Sequence, residues 1–243
     1  MCLIRSLTDK SLLFYFLFFS SFTHASNAET AKSVADLFLS IKIVLAEAQP
    51  LINNAEIIDK GLTAEVVIAR AKDNYFNITG KSFTYSEDKD LAKHQRNLFK
   101  ATRTVMDEAQ VLINMPDIGF KGFITAVFAK SLAREFSTLS PNINFKFTAP
   151  LRILRSAENM ADEWEESVFE KHLSRANWPK NEAYEKNVAG QYRWMLPLYH
   201  ESGCMSCHGS PKGQRDITGF RMEGAQVGDF AGAFSITIDT KVN

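Results

Sequence analysis

Between Thr30 and Phe136 the apolar residues fall into four runs with the three-and-four-residue rhythm that lines one face of an α-helix. The first run is Val34, Leu37, Phe38, Ile41, Val44, Leu45 and Ala48. Pro50 is expected to end or bend its helix near Gln49, because proline lacks the amide a helix interior needs. The second helix is expected from Thr63 as N-cap through Val67, Ile68, Ala71 and Tyr75 to Gly80, where glycine accepts the left-handed cap conformation. After a polar stretch, a third helix would bury Leu91, His94 or Gln95, Leu98, Ala101, Val105 and Ala109. A fourth, from about residue 123 to 136, would present Ile124, Val127, Phe128, Leu132 and Phe136 on one stripe.

Beyond Pro141 the pattern changes. Asn144-Phe145-Lys146-Phe147-Thr148 alternates and reads as a strand stopped by Pro150. A helix follows from about Asn159 through Trp164, Val168, Phe169 and Leu173. The acidic cluster at Asp162, Glu163, Glu165 and Glu166 is read as its solvated first turns, where the helix dipole favours negative charge. The loop at residues 177–182 holds Pro179 among polar neighbours. Residues 183–198 read as a hairpin turning at Gly190, with Tyr192, Trp194 and Leu196 on one face. A long Gly-rich, charged loop spans residues 209–228, and residues 230–238 close as a buried strand. Helices followed by a small antiparallel sheet define an α+β fold.

The helical half contains a repeat. Glu47-Ala48-Gln49-Pro50-Leu51-Ile52-Asn53 recurs as Glu108-Ala109-Gln110-Val111-Leu112-Ile113-Asn114, and Lys60-Gly61 recurs as Lys121-Gly122, at a constant offset of 61 positions. The pattern reads as a duplicated helical hairpin, with no function attached to it.

Lys and Arg, 28 in total, balance 28 Asp and Glu. Zero formal charge argues against a nucleic-acid partner, which requires a basic surplus. Arg5 and Lys10 precede an apolar run from Leu12 to about Phe22, followed by small residues ending at Ala25 or Ala28. That is the plan of an export signal over residues 1–28, with cleavage after Ala25 or Ala28, the alternative being an uncleaved anchor. The expected location is the periplasm or another exported compartment, with no membrane attachment after cleavage. Losing Cys2 with the signal would leave two cysteines.

Those two lie in Cys204-Met205-Ser206-Cys207-His208, the Cys-x-x-Cys-His pattern of covalent haem c attachment. The chemistry requires this spacing. Each thiol adds across one porphyrin vinyl group, and His208, next in sequence, is positioned as an axial iron ligand. Two rival chemistries use the same pair: a thioredoxin-like redox disulfide and half of a zinc site. Zinc would need two further ligands at suitable spacing. A thioredoxin-like pair would sit early in the chain, after a first strand.

With these residues in view, the stretch 119–239 resembles the PAS-like single-haem c-type domain of exported bacterial haem sensors and cytochromes, long catalogued as a domain of unknown function. The resemblance rests on Lys121-Gly122-Phe123-Ile124, residues 155–165 ending Asp162-Glu163-Trp164-Glu165, and Tyr192-Arg193-Trp194-Met195-Leu196-Pro197-Leu198. It continues in Cys204-Met205-Ser206-Cys207-His208-Gly209, in Asp216-Ile217-Thr218-Gly219-Phe220, and in Gly228-Asp229 with Gly232-Ala233. It implies a PAS-like sheet cradling one covalent haem c, preceded by a helical region at 29–118, in modules that often precede signalling outputs. Some relatives take a sixth iron ligand from an upstream cysteine, and none lies between Cys2 and Cys204. The chain ends at Asn243, 35 positions after His208, so direct signalling by this polypeptide is not expected.

Candidates for the other iron face are His94, on an apolar helical stripe, and His172, in a charged helix. His200 sits close before Cys204, and Met195 and Met222 offer thioethers, whereas Met205 lies inside the attachment loop. Arg193, Lys212 and Arg215 are candidate partners of the haem propionates, and Trp194 is a candidate packing residue for the porphyrin. The resulting expectation is a non-enzymatic, exported monohaem protein for redox or diatomic-ligand sensing, its partner a small gas or a redox protein. The alternatives are a monohaem electron carrier and a haem-free thiol-disulfide oxidoreductase. The oligomeric state is open, a homo-oligomer included.

Overall fold

The computed structural model describes residues 25–240. Its helical layer is α1 (Asn27–Glu47), α2 (Gln49–Ile52), α3 (Ala64–Thr79), α4 (Lys89–Ile113) and α5 (Thr125–Leu139). Ser26 starts α1 through a capping box: its hydroxyl accepts the Glu29 amide, and the Glu29 carboxylate accepts the Ser26 amide. Pro50 does not simply stop this helix. It sits in the first turn of α2, where no amide hydrogen bond is required of it. Thr63 and Gly80, at φ 71°, bound α3 as expected. Asp88 caps α4. The fourth expected helix begins two residues late, because Ile124 occupies its N-cap. Val127 is 43% exposed instead of lying on the buried stripe.

The sheet comprises β1 (Ile143–Thr148), β2 (Tyr184–Val188), β3 (Gln191–Tyr199) and β4 (Phe230–Asp239). Their spatial order is β1-β4-β3-β2, and every pair is antiparallel. The architecture is α+β. Ala189 and Gly190 turn β2 into β3 with φ 51° and 84°, the left-handed pair that matches the twist of a tight hairpin. Between β1 and β2 lies α6 (Glu163–Val168), continued by one π-helical turn at Phe169–Leu173. Its start is Asp162, three residues after Asn159, because Asp162 and Glu165 form a second capping box.

The two sheet faces are covered differently. Tyr192, Trp194, Phe145, Phe234, Ile236 and Ile238 join the helices in one hydrophobic core. Phe38 of α1 stacks on Phe234 with ring centroids 4.5 Å apart. This one core draws residues from both sides of position 118/119, between Ala31 and Ile238. On the opposite face, Met195 and Ala233 pack with Val168, Phe169 and Leu173.

The repeat has a structural counterpart. The Gln49 side-chain amide donates to the Phe123 carbonyl at 3.3 Å, and that of Gln110 donates to the Leu62 carbonyl at 3.1 Å. Asn53 Oδ1 accepts the Lys121 amide, and Asn114 Oδ1 accepts the Lys60 amide. Each bond of one copy is returned by the equivalent residue of the other, the signature of a local pseudo-two-fold arrangement.

Most of the expected signal segment, residues 1–24, lies outside the described residues. No described helix is long and apolar enough to cross a membrane.

Candidate functional site

After β3 the chain makes a 3₁₀ turn at Ser202–Cys204 and then a short helix, α7 (Met205–His208). One helical turn presents Cys204, Cys207 and His208 together. Both cysteines are free thiols at intermediate exposure. Gly209 follows of necessity: a Cβ there would lie 2.6 Å from the Met205 carbonyl oxygen. The segment is tied at both ends. His200 exchanges backbone hydrogen bonds with Gly228 and Asp229, and the Ala225 amide donates to the His208 carbonyl at 2.8 Å. The long loop at 209–229 is thus folded back onto the motif.

A guanidinium organises the surroundings. Arg155 Nε and Nη2 donate to Glu223 Oε1 and Oε2 at 2.7 and 2.8 Å, a bidentate fork. Arg155 Nη1 donates to Asp216 Oδ2 at 2.5 Å, and Nη2 also donates to the Cys207 carbonyl at 2.6 Å. Burial opposes charge on Asp216, but bonds from Thr218 and Arg155 prevail and bring its carboxyl to about 2. Burial likewise opposes charge on Glu223, and the Arg155 hydrogen bonds hold its carboxyl below the ordinary range. His208 Nδ1 lies 3.0 Å from Glu223 Oε2. Burial first, then the Arg155 charge, lowers the His208 pKa. A neutral imidazole facing a carboxylate acceptor places its proton on Nδ1, so the Nε2 lone pair is available to a metal.

The sequence did not single out Glu223, and Arg155 entered only as the start of a resembling stretch. One local signal was present for Asp216. In Asp216-Ile217-Thr218-Gly219 the Asp carboxylate accepts the Thr218 amide and hydroxyl and the Phe220 amide, the Asx-turn chemistry that this spacing encodes.

Three expected site residues are placed elsewhere. His94 is 9% exposed and its Nδ1 meets Ser140 Oγ at 2.9 Å. Ser140 precedes the end of β1 that pairs with Ile238, whereas Cys204 follows the end of β3 that pairs with Phe230. Those two strand ends lie the length of the ten-residue β4 apart, about 30 Å at about 3.3 Å per residue. His94 is a buried link between α4 and the turn before β1. Arg193 is also committed. Its Nη2 meets Asp162 at 2.7 Å and Glu165 at 3.3 Å, and its guanidinium covers the Trp164 ring. Glu165, 1% exposed in its side chain, also pairs with Lys146 and accepts the Ser235 hydroxyl. The expected solvated acidic cluster is therefore, at Glu165, a buried ion network. Trp194 lies on the helix-facing side of the sheet, lining a groove of about 890 Å³ with Trp178, Tyr184 and Leu39; no residue of the motif lines that groove.

The other candidates divide similarly. His172 stacks on Tyr184 at 4.2 Å. Met195 is fully buried against the α6 face. Arg215 donates to Gly219 of its own turn, and Lys212 packs its alkyl stem against Gly224. His200 alone among the described imidazoles stands beside His208, with ring centroids 4.7 Å apart.

An antiparallel sheet backed by helices, carrying Cys-x-x-Cys-His on the connection between its two central strands, defines an α+β protein whose site combines two thiols with a carboxylate-held imidazole. The family described as Tll0287-like matches residues 55–239. The chain belongs to that family. Among solved structures, this chain is similar to the crystal structure of the cyanobacterial haem protein Tll0287, at 16% identity and a TM-score of 0.42, over 65% of this chain and 99% of that one. No curated protein matches.

Proposed function

We propose that this chain is a haem protein holding one haem c, joined through Cys204 and Cys207, with His208 Nε2 as an axial iron ligand. The observation that carries this reading is the donor set. Two free thiols three positions apart stand beside an imidazole whose Nδ1 is occupied by Glu223, which orients the other nitrogen for iron. The surroundings fit a porphyrin. Leu151, Ile217, Phe220 and Val227 are 71%, 63%, 45% and 64% exposed, large apolar side chains on the two segments that Arg155 joins. The cyanobacterial relative, a haem protein by its description, supports the same reading. When bound, the group would supply reversible one-electron chemistry and a site for a sixth ligand.

We further propose a non-enzymatic role as an exported redox or diatomic-ligand sensor. His94, His172 and Met195 are engaged away from the motif, while His200 stands beside His208 and buried Met222 directly precedes Glu223; the first three engagements support a sixth position held weakly or left to a small gas. Export accords with the cap of α1. Cleavage after Ala25 would leave Ser26 and its capping box intact, whereas cleavage after Ala28 would remove Ser26.

The test is a visible spectrum of the full chain expressed with a haem c maturation system. A Soret band retained after acid-acetone extraction is expected, and its absence would sink the haem reading in favour of thiol-disulfide chemistry. Carbon monoxide added to the reduced protein should shift that band rapidly and strongly. A spectrum that does not respond would mean a firmly held sixth ligand, and electron transfer would replace sensing.

A further inference from the structure

Glu223 is not needed to attach haem, nor is Arg155, yet they form the most densely bonded polar group around the motif. A carboxylate accepting the Nδ1–H of an axial histidine pulls that proton toward itself, and the imidazole becomes a stronger electron donor through Nε2. Stronger donation stabilises the ferric state over the ferrous and strengthens the iron–imidazole bond. Arg155 acts in the opposite direction. It forks onto both oxygens of Glu223 at 2.7 and 2.8 Å, sharing the charge that would otherwise fall wholly on His208. Its remaining donors hold Asp216 and the Cys207 carbonyl, so the fork cannot swing away without releasing the attachment turn.

Resting on the haem reading, we propose that Glu223 and Arg155 are positioning residues that set the reduction potential of the iron through His208. Glu223 makes the imidazole a strong donor, and Arg155 limits how strong. A redundant structural clamp would have no such opposed pair of effects. Any loss of packing would loosen the site in the same sense whichever partner was removed.

The experiment compares full-length, haem-loaded wild type with Glu223→Gln, Arg155→Gln and Arg155→Lys. The readouts are the reduction potential and the iron–histidine stretching frequency of the reduced protein by resonance Raman. Glu223→Gln keeps an acceptor for Nδ1–H but removes its charge; its potential should rise and its stretching frequency should fall. Arg155→Gln should move both quantities the other way, and Arg155→Lys, which keeps the charge, should lie nearer wild type. Shifts of the same sign in Glu223→Gln and Arg155→Gln, or no shift, would overturn the proposal while leaving the haem reading standing. If Arg155→Gln does not load haem, the signs of the two Glu223→Gln shifts decide the matter. A wild type without covalent haem would instead overturn the reading beneath it.

Discussion

A guanidinium that meets two carboxylates and a carbonyl at once has its donor edges filled, and in this way Arg155 holds the segment after β1 against the loop after α7. Asp216 is the more buried of its two acidic partners, with no exposed side-chain surface. Its carboxyl lies at about 2 against an ordinary 3.8. A depressed folded-state pKa means stabilisation that is complete above the ordinary value and lost as pH falls from about 4 toward 2. Asp216→Asn should therefore lower stability at pH 7 by about 2 kcal/mol. It should also flatten the pH dependence of urea midpoints below pH 4; equal slopes for wild type and variant would show that the carboxylate charge is not what holds the turn. The motif and its spacing were legible in the sequence because Cys-x-x-Cys-His is a purely local pattern. Arg155 and Glu223 are 68 positions apart, and no local pattern announces that they will meet. Arg193 misled for the converse reason: a cation beside an aromatic alternation looks available until α6 delivers Asp162 and Glu165 to it.

Among the elements, the helices followed their apolar periodicity closely, and departures came where caps outweighed periodicity. Pro50 restarted a helix, Ile124 delayed one, and Asp162 with Glu165 set the start of α6. Gly190 marked the hairpin correctly, but its partner in the turn is Ala189 at φ 51°, a conformation that costs a side-chain-bearing residue about 1 kcal/mol. Ala189→Asn supplies the residue that this turn type favours. It should raise stability by about 0.5 to 1 kcal/mol, seen as a higher denaturant midpoint at unchanged slope. A lower midpoint would mean that the β2 edge is held by something other than its turn.

Across the whole molecule, the repeat that divides the helical half by sequence unites it by hydrogen bonds, since Gln49, Asn53, Gln110 and Asn114 each serve the other copy. The continuous core then joins those helices to the sheet through Phe38 and Phe234. By sequence, a helical region at 29–118 separates from the stretch 119–239 because the family resemblance begins there; packing crosses that position, because α1 lies against β3 and β4. One cooperative unit follows. All three tryptophans lie at or beyond position 164, so fluorescence reports the sheet half, while far-ultraviolet circular dichroism reports the helices. The two unfolding curves should coincide; a helical transition separated from the fluorescence one would reveal two units.

The sheet order has a consequence in time. β4 lies between β1 and β3, yet it is the last of the four to be synthesised, and Cys204, Cys207 and His208 precede it. Until β4 arrives, nothing zips β1 to the hairpin, and Phe38 has no Phe234 on which to stack. The thiols therefore emerge while the sheet is still open. Insertion of the central strand afterwards closes the sheet behind them.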